Sequence, residues 1–177
     1  MSHKINILDP NQELVIKWSG LIDMDGLYKK IWEWYKNRKF EVHEKTLKDK
    51  GRAEGREEEI KIDAFRNDTD FFRVWINLYI HTWELNRVDV VVDGKKKKME
   101  KGRFKVTMRL VFEADYENRW EKSKFFIGLR TFYLKYFMNR KIQTYGDKLE
   151  YELHNLHEVI KQHLGMEAAG NQYSDMW

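Results

Sequence analysis

Two stretches of strict two-residue alternation constrain this chain more than anything else in it. Phe72, Val74, Ile76, Leu78 and Ile80 point one way, while Arg73, Trp75, Asn77, Tyr79, His81 and Trp83 point the other. Further on, Phe104, Val106, Met108, Leu110, Phe112 and Ala114 are apolar at every second place. That period belongs to extended chain with one buried face. Between the two stretches lie Val88–Val92, Asp93-Gly94 and a return that starts in Lys95–Lys98. Asp-Gly between extended runs is the signature of a type I′ hairpin. The result is an antiparallel meander, and Gly102 in Glu100-Lys101-Gly102 predicts a bulge in its returning strand.

The remaining elements attach to that sheet. Glu13–Trp18 is a first strand, and Asp23 and Asp25 offer N-cap oxygens for a helix running to about Arg38. Leu27, Ile31, Trp34 and Tyr35 form the apolar stripe of that helix, widened by Tyr28 and Trp32. Lys39–Asp49 and Glu57–Arg66 are charged strands joined by a turn through Lys50–Gly55. Past Glu121 the period becomes helical, with Phe125, Leu129, Phe132 and Tyr136 in one row. Gly128 weakens that helix and leaves a short strand at Phe125–Leu129 as the alternative. From Ile142 a second helix carries the seam Leu149, Leu153, Leu156, Ile160 and His163, with Gly146 expected to break or kink the join and Gly165 to cap the end. The expectation is an α+β fold: a meander sheet of about five or six strands, with an N-terminal helix and long C-terminal helices packed on it. Residues 1–165 form the domain, and 166–177 a flexible C-terminal tail.

Composition narrows the chemistry. The chain has 177 residues, 42% of them apolar and 35% charged, which suits one domain with a core and strongly polar outer faces. It has no cysteine, so disulfides, thiolate zinc sites and cysteine nucleophiles are excluded. The net charge of +4 permits an anionic partner without demanding one. The N-terminus lacks the basic start and apolar run of a signal peptide, and no apolar stretch is long enough to cross a membrane as a helix. A soluble cytoplasmic protein is the expectation, with no cofactor implied and the oligomeric state left open.

The order of strand, helix, long antiparallel meander and C-terminal helix resembles the helix-grip arrangement of START-like and polyketide-cyclase-like domains over roughly residues 13–165. The resemblance is one of topology, and it departs from the pattern in having one helix after the first strand, one strand fewer and two closing helices. It implies a curved sheet gripping the terminal helix over an apolar cavity. The segment Asp115-Tyr116-Glu117-Asn118-Arg119-Trp120-Glu121-Lys122, with Leu129-Arg130 and Tyr133, is also similar to small uncharacterised archaeal proteins. That likeness implies a lineage and no chemistry.

Four groups of residues are candidates for function. Trp75, Tyr79 and Trp83 share one strand face, where they could line a ligand site, stack bases or pack beneath a helix. Lys95, Lys96, Lys97 and Lys98 could meet an RNA backbone or another anion, or guard an exposed strand against edge pairing. A second basic group, Arg130, Lys135, Arg140 and Lys141, joins them only if the fold brings the two together. His154 and His157 share a helix face and could ligate a metal given a further ligand; otherwise they belong to a solvated face. Asp23-Met24-Asp25 resembles a metal-binding D-x-D, although capping of the helix that follows already accounts for it. No nucleophile elbow, glycine-rich phosphate loop or HExxH motif occurs. The expectation is a non-enzymatic binding protein with a helix-grip-like cavity or groove for an apolar small molecule or a protein partner, with a ribosome- or RNA-associated factor that uses the Lys95–Lys98 hairpin as the alternative.

Overall fold

The computed structural model describes residues 3–6, 13–92, 95–120, 123–136 and 139–166. Its elements are β1 (His3–Asn6), β2 (Leu14–Ile22), α1 (Met24–Asn37), β3 (Glu41–Arg52), β4 (Gly55–Asn67), β5 (Phe72–Val92), β6 (Lys95–Ala114), α2 (Lys124–Tyr136) and α3 (Asn139–His163). All strand pairs are antiparallel. The sheet has six strands in the order β1-β6-β5-β4-β3, with β2 also pairing to β6. Thus β3 to β6 form the expected meander. The chain's first two strands close its far edge, β1 against the end of β6 and β2 against its middle.

One face of this sheet carries the core. Alternation puts Ile60, Ile62, Val74, Ile76, Leu78, Ile80, Phe104, Val106, Met108, Leu110 and Phe112 on that face, where they are buried. The apolar stripes of two helices meet them, Leu27, Ile31, Trp34 and Tyr35 from α1 and Leu149, Leu153, Leu156 and Ile160 from α3. Few polar contacts are needed to orient these helices. The Tyr35 hydroxyl donates to the Ile76 carbonyl at 3.0 Å, and the Trp34 indole N–H donates to Asn155 Oδ1 at 2.8 Å. His163 Nε2 lies 2.9 Å from the Asp23 carbonyl and ties the end of α3 to the start of α1.

Several local expectations are corrected. Phe71–Trp83 and Val88–Val92 belong to one strand of 21 residues, β5. The bulge lies on β5, opposite Gly102: Trp83 pairs with Arg103 and Asn86 with Lys101, while Glu84 between them has φ 57°. A Cβ on Gly102 would meet the Trp83 carbonyl oxygen and Leu85 Cδ2 at 2.8 Å each, so glycine is what lets the bulged backbone close down on β6. Gly146 lies inside α3, which runs through it from Asn139 to His163. Phe125–Leu129 is helical, as part of α2. The β3–β4 connection is shorter than expected, with Ala53-Glu54 between Arg52 and Gly55. Gly165 does end α3, at φ 66°, with the Met166 N–H on the Lys161 carbonyl. The Asp93-Gly94 turn and residues 167–177 lie outside the described residues.

Candidate functional site

Because α1 and α3 both pack on the same face, neither helix covers the opposite face of the sheet. Trp75, Tyr79 and Trp83 lie on it and are partly exposed; the cover that could have turned them into core is absent among the described residues. His81 lies between Tyr79 and Trp83, its ring centroid 3.7 Å from that of Trp83 and 6.2 Å from that of Tyr79. Side chains on one strand face recur about every 6.6 Å. Tyr79, His81 and Trp83 therefore make a row of three rings along β5. Trp75 belongs to a separate cluster with Phe65, and its indole N–H donates to Glu113 at 2.7 Å.

Charge is divided across this face. On the β4 side Lys48 Nζ sits 2.5 Å from Glu57 Oε1 and 3.4 Å from Glu59 Oε1, His81 Nε2 lies 3.1 Å from Glu57 Oε1, and Tyr79 donates to Glu59 at 2.6 Å. The Tyr79 bond and the neighbouring Lys48 hold the Glu59 carboxyl below its ordinary range. Burial, and then Glu59 itself, push the Tyr79 phenol up to about 12. Glu57, Glu59 and His81 place ligand atoms within 4.8 Å of one another, the donor set a divalent ion uses. Lys48 already supplies positive charge to both carboxylates, which makes the group an ion-pair network. Sequence reasoning missed it because Lys48, Glu57 and His81 come from three strands, and register alone unites them.

On the β6 side the charge is positive. Lys17, Lys105 and His81 are neighbours in register across β2, β6 and β5, and Arg103 pairs with Trp83. The Arg103 guanidinium lies 5.9 Å from the Trp83 ring centroid and bonds to Glu84. Lys17, Ser19, Trp83, Arg103 and Lys105 line a groove of about 460 Å³. A second groove of about 300 Å³ continues along the face past Tyr79, Thr107 and Arg109. Arg109 is held by Glu13.

The other sequence candidates go elsewhere. Lys97 bonds at 2.5 Å to Asp23, so part of the lysine run braces α1; Lys96 and Lys98 are exposed, and the Lys95 side chain lies outside the described residues. Asp23 is the N-cap of α1, accepting the Gly26 N–H at 3.1 Å. Burial pushes the Asp23 carboxyl up, but Lys97 and the Gly26 N–H outweigh it, and the net shift is downward. A depressed carboxylate stabilises the fold above its unfolded value, and that contribution is lost as pH falls through the folded value. Asp23→Asn is therefore expected to flatten the acid limb of a stability-versus-pH curve from urea melts, with the difference from wild type shrinking as pH falls below the ordinary carboxylate value of 3.8.

His154 and His157 lie with ring centroids 6.5 Å apart and bring in no third ligand among the described residues. Burial and then Lys161 lower the His157 pKa. Arg130 is buried and pairs with Asp115 at 3.2 Å, while the side chains of Lys135, Arg140 and Lys141 lie outside the described residues. No helix among the described residues is long and apolar enough to cross a membrane. Comparison with protein-family models, with curated proteins and with solved structures returns no match.

Proposed function

We propose that the chain is a non-enzymatic binding protein whose open sheet face takes a single-stranded nucleic acid. The observation that carries this is the ring row Tyr79, His81 and Trp83 with cationic Lys17, Arg103 and Lys105 along one side. Single strands are held by the same pairing of aromatic platforms for bases and positive charge for the backbone. Lys17 and Lys105 take no ion-pair partner among the described residues, so their charge is available to phosphates. The Lys95–Lys98 hairpin is the weaker contact, since Lys97 is engaged with Asp23.

A cavity for an apolar ligand, as in the helix-grip arrangement, draws less support. Leu149, Leu153, Leu156 and Ile160 have no exposed surface and fill the space between α3 and the sheet.

Fluorescence anisotropy with a labelled oligouridylate across a salt series tests the proposal. Salt-sensitive binding is expected. Trp83→Ala should weaken it by about 1–3 kcal/mol, or roughly 5- to 150-fold. Lys17→Gln with Lys105→Gln should flatten the log–log salt slope by about 1.4, at about 0.7 per phosphate contact. Absence of binding at low salt would sink the proposal. Binding lost on Lys96→Gln with Lys98→Gln, yet untouched by the open-face changes, would move the contact to the hairpin.

A further inference from the structure

The group formed by Lys48, Glu57, Glu59 and His81 has the geometry of a cation site as well as of an ion-pair network. Glu57 and Glu59 stand two apart on β4 and share the aromatic face, and His81 lies directly across from Glu59 on β5. The imidazole Nε2 is 3.1 Å from Glu57 Oε1 and 3.5 Å from Glu59 Oε1. Metal bonds of about 2.0–2.1 Å in a tetrahedron set neighbouring donor atoms about 3.3 Å apart. The imidazole thus already stands at ligand spacing from each carboxylate. The donors are also held from behind. The Tyr79 hydroxyl donates to Glu59 Oε2 at 2.6 Å, which leaves Oε1 toward His81, and the Trp83 ring lies against the imidazole with centroids 3.7 Å apart. Contacts of this kind orient the ligands of a metal.

A cation already sits at this spot. Lys48 Nζ lies 2.5 Å from Glu57 Oε1 and 3.4 Å from Glu59 Oε1, the same two oxygens that face His81. A bulge places it there. Thr46 pairs with Ile60 and Lys48 with Glu59, so Leu47 is the extra residue and Lys48 turns onto the aromatic face instead of the core face. The ammonium ends a flexible stem on the last strand of the sheet, and 24% of the side chain is exposed. It can leave for water without disturbing the core. The imidazole sets which ions suit the remaining donors, since nitrogen ligands favour zinc and its neighbours over magnesium and calcium.

We infer that Glu57, Glu59 and His81 bind a divalent transition ion of the zinc class, which takes the place of the Lys48 ammonium. Calorimetric titration of the chelator-treated full chain with Zn²⁺ is the test, with Mg²⁺ alongside and Co²⁺ followed by its visible absorption. One Zn²⁺ per chain is expected, with no binding of Mg²⁺. His81→Ala and Glu59→Gln should each weaken it by about 100-fold or more, and Tyr79→Phe, which removes only the support behind Glu59, by about tenfold. Lys48→Met removes the competing ammonium and should tighten binding by roughly two- to fivefold, a gain that a purely structural ion-pair network would not show. His154→Ala with His157→Ala should leave binding unaltered. Wild type that takes up no Zn²⁺ overturns the inference without reference to any variant. So does unchanged binding in the His81→Ala protein, binding no tighter in the Lys48→Met protein, or loss of binding with the α3 histidine pair. The ion is titrated without nucleic acid, and oligouridylate binding is measured under chelator, so this inference and the nucleic-acid proposal fail separately.

Discussion

Asp115→Ala is expected to destabilise the fold by about 3–5 kcal/mol, because it strips a buried guanidinium of the carboxylate that faces it. Asp115 follows β6 at φ 54°, a conformation that aspartate tolerates better than alanine does. Its carboxylate accepts the backbone N–H groups of Arg119 and Trp120 at 2.8 and 3.2 Å and the Arg130 side chain at 3.2 Å. One side chain thus shapes the turn after the sheet and fixes α2 to it. Asp115→Asn keeps the shape, the backbone tolerance and one acceptor, and should recover part of the loss. Urea melts of the two variants check both statements. A cost below about 1 kcal/mol for the alanine variant would mean that α2 is held by its ring contacts instead.

Leu156→Ala should cost about 2–5 kcal/mol, the range for deleting a fully buried leucine. Leu156 has no exposed surface and sits in the α3 seam against the sheet. Tyr151, on the same helix and 77% exposed, supplies the control: Tyr151→Ser should stay within about 0.5 kcal/mol. The comparison also bears on function. A small loss at Leu156 would mean a loosely filled interior, and would revive an apolar-ligand cavity beneath α3. A large loss leaves the open face as the surface to pursue.

The period of the sequence was enough for the alternation of β5 and β6, the stripe of α1, the seam of α3 and the α+β class. Each of these rests on a local rule: side chains that must be buried together recur every two residues on a strand and every three or four on a helix. Gly102 also announced a bulge, but a glycine permits close approach without saying which strand bends, and the extra residue turned out to be on the partner, at Glu84. Gly146 misled for a related reason. An isolated glycine costs a helix about 1 kcal/mol, which the buried Leu149–Ile160 seam readily outweighs.

What periodicity leaves undecided is the fate of the second face. Trp75, Tyr79 and Trp83 have the same pattern whether a helix covers them or water does. Long-range placement settles it: α1 and α3 both land on the Ile76 side, and α2 is tied at the sheet's end through Asp115. Strand register then assembles groups that are remote in sequence, joining Lys48, Glu57, Glu59 and His81 on one side of the ring row and Lys17 with Lys105 on the other. The sequence by itself determined that β5 has two unlike faces, because that follows from residue order along one strand. Only the tertiary structure decided that the aromatic face is left uncovered by α1 and α3 and is bordered on one side by positive charge, because burial and electrostatic neighbourhood depend on contacts between residues far apart in the chain.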